Sequence, residues 1–214
     1  EVARAAAQSL LTYWANILQR LGHELNNAAL AEFDPLLAPE LPDAACPYLG
    51  LDAFREADSG RFFGREPMVR ELVERLGDER MLFVVGPSGS GKSSLVRAGL
   101  VPALRRGALP GSEGWLYLEP LVPGGEPLVA LACVLAPAAN RQHLLQVAQI
   151  LRDRPAAAVE ILTTTARALV IVDQFEELFT LVESEAERLA FVEALLALAA
   201  DAPGHRVVLT MRSD

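Results

Sequence analysis

The chain has 214 residues, 51% of them hydrophobic and 22% charged, and a formal net charge of −9. That is enough apolar material for one domain with an appendage or two small domains, and it excludes a disordered chain. The acidic balance excludes broad binding to nucleic acid or to an anionic membrane, which needs basic surface, but it leaves room for a local polyphosphate site.

In chain order, residues 2–28 read as a helix, with Leu11, Trp14, Leu18, Leu21 and Leu25 at alternating spacings of three and four. Two heptads are too few for a free-standing coiled coil, so this is a helix packed on a domain or a short pairing helix. Residues 34–47 (DPLLAPELPDAACP) carry four prolines and no periodicity, a linker or strap. Residues 1–46 thus form an N-terminal helix and proline-rich linker, 47–80 a lead-in segment, and 81–214 the core. A helix is predicted over 66–77, with Pro67 in its first turn and Gly77 at its stop. The run from Met81 to Val85 is a buried strand that ends in glycines and is followed by a helical pattern. A second strand is predicted over 115–120 (WLYLEP), then helices near 127–136 and 141–167. A third strand, 168–173 (ALVIVD), ends in an acid. Ser184 and Glu187 form a capping box for a helix over 184–200, and a fourth strand, 205–213, closes the chain. Apolar strands separated by helices predict a parallel α/β sheet covered on both faces. There is no internal repeat.

Two cysteines, Cys46 and Cys133, and three scattered histidines give no disulfide framework and no metal cluster, which suits a reducing cytoplasm. No apolar run reaches membrane-spanning length and no signal peptide is visible. The chain begins at Glu1, so a piece of a longer protein is expected.

Residues 86–95 read GPSGSGKSSL and contain Lys92, the only lysine; every other basic residue among the 19 is an arginine. The stretch fits G-x-x-x-x-G-K-[ST] between an apolar strand and a helix. Glycines at 86, 89 and 91 let the backbone wrap with its N–H groups turned inward, together with Ser88 and Ser90, and the following helix adds its N-terminal partial charge. A compact ammonium can thread that wrap to the β- and γ-phosphates, where a planar guanidinium is too wide. This explains the single switch from arginine to lysine. Ser93 would hold Mg²⁺ through its hydroxyl and the Ser94 N–H would meet the α-phosphate. Asp173, at the tip of LVIVD, is placed as the second metal anchor. Gln174 fills the slot where many such ATPases carry a glutamate, and it cannot accept a proton, so Glu176 or Glu177 must orient water. An apolar strand ending at Thr210, Arg212 and Asp214 brings the Arg212 guanidinium to the phosphate edge as a sensor of the third phosphate.

In order and spacing, CPYLGLDAFREADSGRFFGREPMVRELVERL, VVGPSGSGKSSLVRAGLVPALRRG, LVIVDQFEELFT and RVVLTMRSD resemble the novel STAND NTPases of family 1 over residues 47–214. These signal-transduction ATPases are often found in bacterial proteins with WD-type repeats. The resemblance implies a P-loop NTPase fold of the STAND/AAA+-like, additional-strand type, truncated here after the fourth strand, with the lid and winged helix absent. It implies ATP/ADP and Mg²⁺ as cofactors, an ATP-dependent switch, self-association, and attached effector and sensor domains. It puts the FGRE element on Phe63, Gly64, Arg65 and Glu66, lining the base and ribose side. Its acids after the aspartate fall on Glu176 and Glu177, and the related NACHT pattern favours Glu176. Two other readings stand beside the switch: a P-loop kinase acting on a small metabolite, and a scaffold in which nucleotide is structural. Phosphate release without an acceptor distinguishes the first, and nucleotide that never exchanges marks the last. Direct nucleic-acid binding has no basic surface to support it.

Overall fold

A computed structural model of the chain describes residues 2–20, 52–162, 164, 166–200 and 204–213. Two compact units divide at Cys46 and Pro47. In the first, helix α1 spans Val2–Arg20; Leu21, Leu25 and the proline-rich stretch lie outside the described residues. Along α1, Thr12 Oγ1 bonds back to the Gln8 carbonyl, and the Tyr13 and Trp14 rings meet edge to face.

In the second unit four parallel strands form one sheet: β1 (Met81–Gly86), β2 (Leu116–Tyr117), β3 (Ala168–Val172) and β4 (Arg206–Arg212), in the spatial order β1-β4-β3-β2. Register sets Gly86 beside Arg212 and Val172 beside Leu209, so the C-terminal ends of β1, β3 and β4 meet at one edge. The side-chain alternation of β3 explains why both faces are covered at the centre of the sheet; at edge strand β1 the expected cover is incomplete, and Phe83 and Val85 are half exposed. Leu169 and Ile171 pack with Leu72, Leu76, Leu100 and Leu104 on one side; Ala168, Val170 and Val172 pack with Leu131, Leu151, Phe191 and Leu195 on the other. Burying each such large apolar side chain contributes about 1.5–3 kcal/mol.

The first face is covered by α2 (Glu66–Asp78) and α3 (92–105), the helix after β1. The other is covered by α4 (Pro127–Leu135), α5 (Arg141–Asp153), α6 (Ala157–Ile161) and α8 (Glu185–Ala200), with the short α7 (Glu177–Thr180) at the sheet edge. Ser184 caps α8, its Oγ accepting from the Glu187 N–H at 3.3 Å.

Two further expectations need correction. The helix expected over 141–167 is two helices, because Pro155 removes a donor and the chain turns there. The strand expected over 115–120 pairs regularly only at Leu116 and Tyr117; beyond Pro120, which has no N–H, it returns as a single bridge from Leu121 to Val172. Helix α3 is not one regular α-helix. It is α-helical over Lys92–Ser94, widens to a π-turn over Leu95–Leu100, and resumes over Val101–Arg105. Pro102 accounts for the wide turn: its ring would strike the carbonyl four residues back, and a π-turn moves that carbonyl away. The turn is tightly seated, since a Cβ on Gly99 would lie 2.7 Å from Val69 Cγ2.

Candidate functional site

The loop from Gly86 to Gly91 joins β1 to α3, and its chemistry follows from its backbone. Gly89 (φ +70°) and Gly91 (φ +84°) hold the left-handed conformation that side-chain-bearing residues resist. Lys92 folds back over this loop and donates from Nζ to the carbonyls of Gly86 and Pro87, both at 2.8 Å. Its charge is thereby held inside the turn rather than out in solvent.

Ser93 is one residue further, and its Oγ donates to Asp173 Oδ1 at 2.7 Å. Asp173 follows β3 and is 2% exposed. The same Oδ1 accepts from Thr210 Oγ1 of β4 at 2.5 Å, and Arg97 Nη2 lies 2.8 Å from Oδ2. A carboxyl group taken out of water needs such hydrogen-bonding partners. After Asp173 the chain turns sharply: Gln174 has φ +56°, strained for a residue with a side chain. Two bonds to Thr210 hold that turn, from the Gln174 N–H to Oγ1 and from the Phe175 N–H to the carbonyl.

Lys92, Ser93, Asp173, Glu176 and Arg212 line one cleft of about 590 Å³ at the C-terminal edge of the sheet, with Ser88, Gly89, Gly91 and Ser94. Ligand sites of α/β sheets lie at this edge and have this size. Glu176 Oε2 accepts the Arg212 backbone N–H at 3.1 Å, which ties the acid to the end of β4. Glu177, its neighbour, starts α7 and is not on the cleft wall. The Ser94 hydroxyl accepts from the Phe54 N–H at 3.1 Å.

The FGRE element is placed differently from expectation. Phe63 is 76% exposed and, like Gly64 and Arg65, is absent from the cleft wall. Gly64 turns with φ +81° so that its N–H reaches the Glu66 carboxylate, which caps the start of α2. Bonds from the backbone N–H groups of Glu66 and Gly64 hold that carboxyl below its ordinary range. Arg65 reaches the outside of the loop, with Nη2 3.5 Å from the Ser90 carbonyl. The cleft wall there is built instead by Asp52, Ala53 and Phe54. These residues and Arg97 escaped the sequence reading. Arg97 left one signal, a charge inside the apolar run LVRAGL.

The donors fit a divalent cation. Ser93 spends its proton on Asp173, leaving hydroxyl lone pairs for a hard ion, and the carboxylate is the oxygen ligand such ions prefer. Among the described residues there is no cluster of three or more His, Cys, Asp or Glu side chains that could hold a metal ion.

A parallel α/β sheet with a glycine-rich phosphate loop, a lysine inside it and a serine–aspartate pair at the strand ends defines a P-loop NTPase. The sequence profile of the Novel STAND NTPase 1 family matches residues 47–214, and the chain belongs to that family. Among solved structures it is similar to a Walker-type ATPase of Pyrococcus abyssi, with 20% identity and a TM-score of 0.42. That similarity covers 77% of this chain and 48% of the archaeal protein, so the chain spans about half its length. Among curated proteins no relative matches. No helix among the described residues is long and apolar enough to cross a membrane.

Proposed function

We propose that this chain is the nucleotide-binding switch module of a signal-transduction ATPase, binding ATP and ADP with Mg²⁺ and hydrolysing ATP slowly. The observation that carries the reading is the convergence of Lys92, Ser93, Asp173, Glu176 and Arg212 on a single cleft. Lys92 and the inward backbone N–H groups would hold the β- and γ-phosphates, and Ser94 N–H the α-phosphate. Ser93 and Asp173 would hold the metal, whose chemistry is to offset charge on the phosphate oxygens.

Glu176 is the acid that orients water: it lies on the cleft wall beside the Arg212 backbone, whereas Glu177 does not. Arg212 reads the third phosphate, because the residue lines the cleft at the sheet edge and carries a fixed charge. Hydrolysis is slow because Gln174 stands directly after Asp173 and cannot take a proton. Family membership supports the rest of the reading: nucleotide-dependent self-association that controls an attached effector in the cytoplasm. Calorimetry with ADP and ATP, with and without Mg²⁺, tests it. Both nucleotides should bind, and chelation should weaken ATP more than ADP, since a cation held by Ser93 and Asp173 would offset the extra charge of the third phosphate. A chain that binds neither nucleotide overturns the reading.

A further inference from the structure

Asp173 has a partner that holding a nucleotide does not require. Ser93 and Thr210 occupy Oδ1, and the remaining oxygen, Oδ2, is taken by the Arg97 guanidinium at 2.8 Å. Arg97 comes from the π-turn of α3, so the departure from regular helix lies where this contact is made. Its hold is incomplete, because Arg97 Nε is buried without a hydrogen-bond partner.

On its other side Arg97 borders a second cavity, of about 290 Å³, whose wall includes Val101, Tyr117, Glu119 and Ile171. Arg105, on the same wall, is already engaged: it pairs with Glu56 at 2.7 Å and lies 4.2 Å from the Tyr117 ring centre. The Glu119 carboxylate, by contrast, makes no ion pair or hydrogen bond among the described residues. Arg97 is thus paired with one buried carboxylate and shares a cavity wall with a second, which is exposed and unpaired among the described residues.

We propose that Arg97 is a movable internal counterion that neutralises Asp173 in the absence of divalent metal and transfers to Glu119 when metal binds beside Ser93. The proposal rests on the Mg²⁺–nucleotide reading of the cleft. A guanidinium and a hydrated divalent cation compete for Asp173 Oδ2 and repel each other at this range in a poorly solvated site. The site cannot hold both at full strength, and the cavity offers the arginine an exit that ends on an opposite charge. Arg97 is thus a positioning residue for Asp173 that lowers the metal affinity of the cleft. Nucleotide held by Lys92 and the loop backbone is correspondingly less dependent on metal.

The test is calorimetric titration of Mg²⁺ into the chain saturated with ADP. Arg97→Met keeps much of the stem and removes the cation; it should tighten Mg²⁺ about tenfold. Glu119→Gln, on an exposed position, should weaken Mg²⁺ about threefold, because the arginine loses its second partner. Arg97→Lys, which retains charge, should stay nearer the wild type than Arg97→Met does. Mg²⁺ affinity unchanged or weakened in Arg97→Met, or unchanged in Glu119→Gln, overturns the proposal. If Arg97→Met does not fold, Glu119→Gln decides alone. A wild type that binds no ADP overturns the nucleotide reading itself, whereas ADP binding with an unaltered Mg²⁺ response in the variants overturns only the counterion.

Discussion

Thr210→Val tests the joint between β4 and the turn after β3. Thr210 is 1% exposed, and valine replaces its hydroxyl with a methyl group of nearly the same shape, so the packing is kept and only hydrogen bonds change. Two are lost: the Oγ1 donation to Asp173 at 2.5 Å and the acceptance from the Gln174 N–H at 3.1 Å. A hydrogen bond to a charged group contributes about 1.5–3 kcal/mol, and a donor left unpaired costs about 1–3 kcal/mol. Gln174 is on the surface, where water can replace the lost acceptor, so the second loss is taken at its low end and the sum is about 3 kcal/mol. For a unit of this size that is a drop in Tm of about 6–12 °C. Thr210→Ser, which keeps the hydroxyl, should lose less than half as much. Urea unfolding of the three proteins measures this directly. A Thr210→Val unfolding free energy within about 0.5 kcal/mol of the wild type would refute the reasoning, because that is the scatter of an uninvolved surface position.

Lys92→Ala should weaken ATP at least tenfold, about 1.4 kcal/mol, and Lys92→Arg should fail similarly because a planar fork cannot sit between the Gly86 and Pro87 carbonyls; calorimetry showing wild-type affinity for the arginine variant would sink the argument from shape. Glu176→Gln should lower phosphate release by roughly 10²-fold or more while ATP stays bound, and Glu177→Gln should do much less; the reverse order in a phosphate-release assay would move the role to Glu177. His205 is buried, its Nδ1 accepting the Ala168 N–H at 3.0 Å, and burial followed by the Arg167 charge pushes its pKa down. The folded state thus binds that proton less readily than the unfolded chain, so stability should be full above the unfolded value of about 6.5 and fall as pH drops below it. His205→Gln, which keeps an acceptor but does not titrate, should flatten that part of the stability–pH curve; an unchanged slope would show that the loss arises elsewhere.

Ala168–Val172 and Val207–Leu209 were readable because buried parallel strands are apolar throughout, and Met81–Val85 reads the same way although, at the sheet edge, it leaves Phe83 and Val85 half exposed. The loop was readable because its glycines and lone lysine answer to phosphate geometry rather than to packing. What escaped was set by contacts far apart in sequence. Nothing local marks Asp52, Ala53 and Phe54 as a cleft wall; they are placed by the bond from the Phe54 N–H to Ser94, forty positions on. Arg97 reads as a surface charge until the π-turn is known, and that turn depends on Pro102, which a propensity reading takes for a helix end. Phe63 was misplaced because adjacent phenylalanines look equivalent in sequence, while packing selects Phe62, whose ring lies against Phe54 and close to Gly99.

The single lysine also makes the cleft chemically addressable. With one side-chain primary amine in the whole chain, amine-directed acyl-phosphate nucleotide analogues have one lysine target, and it lines the cleft. The eighteen arginines are poor nucleophiles and do not compete for such reagents. A one-group mass shift would therefore report the occupancy of the loop, with bound nucleotide as the protecting agent. Acetylation of Lys92 would erase the charge and fill the wrap in a single covalent event. A protein that writes its surface in arginine has confined lysine chemistry to the one place where it would act as an off switch.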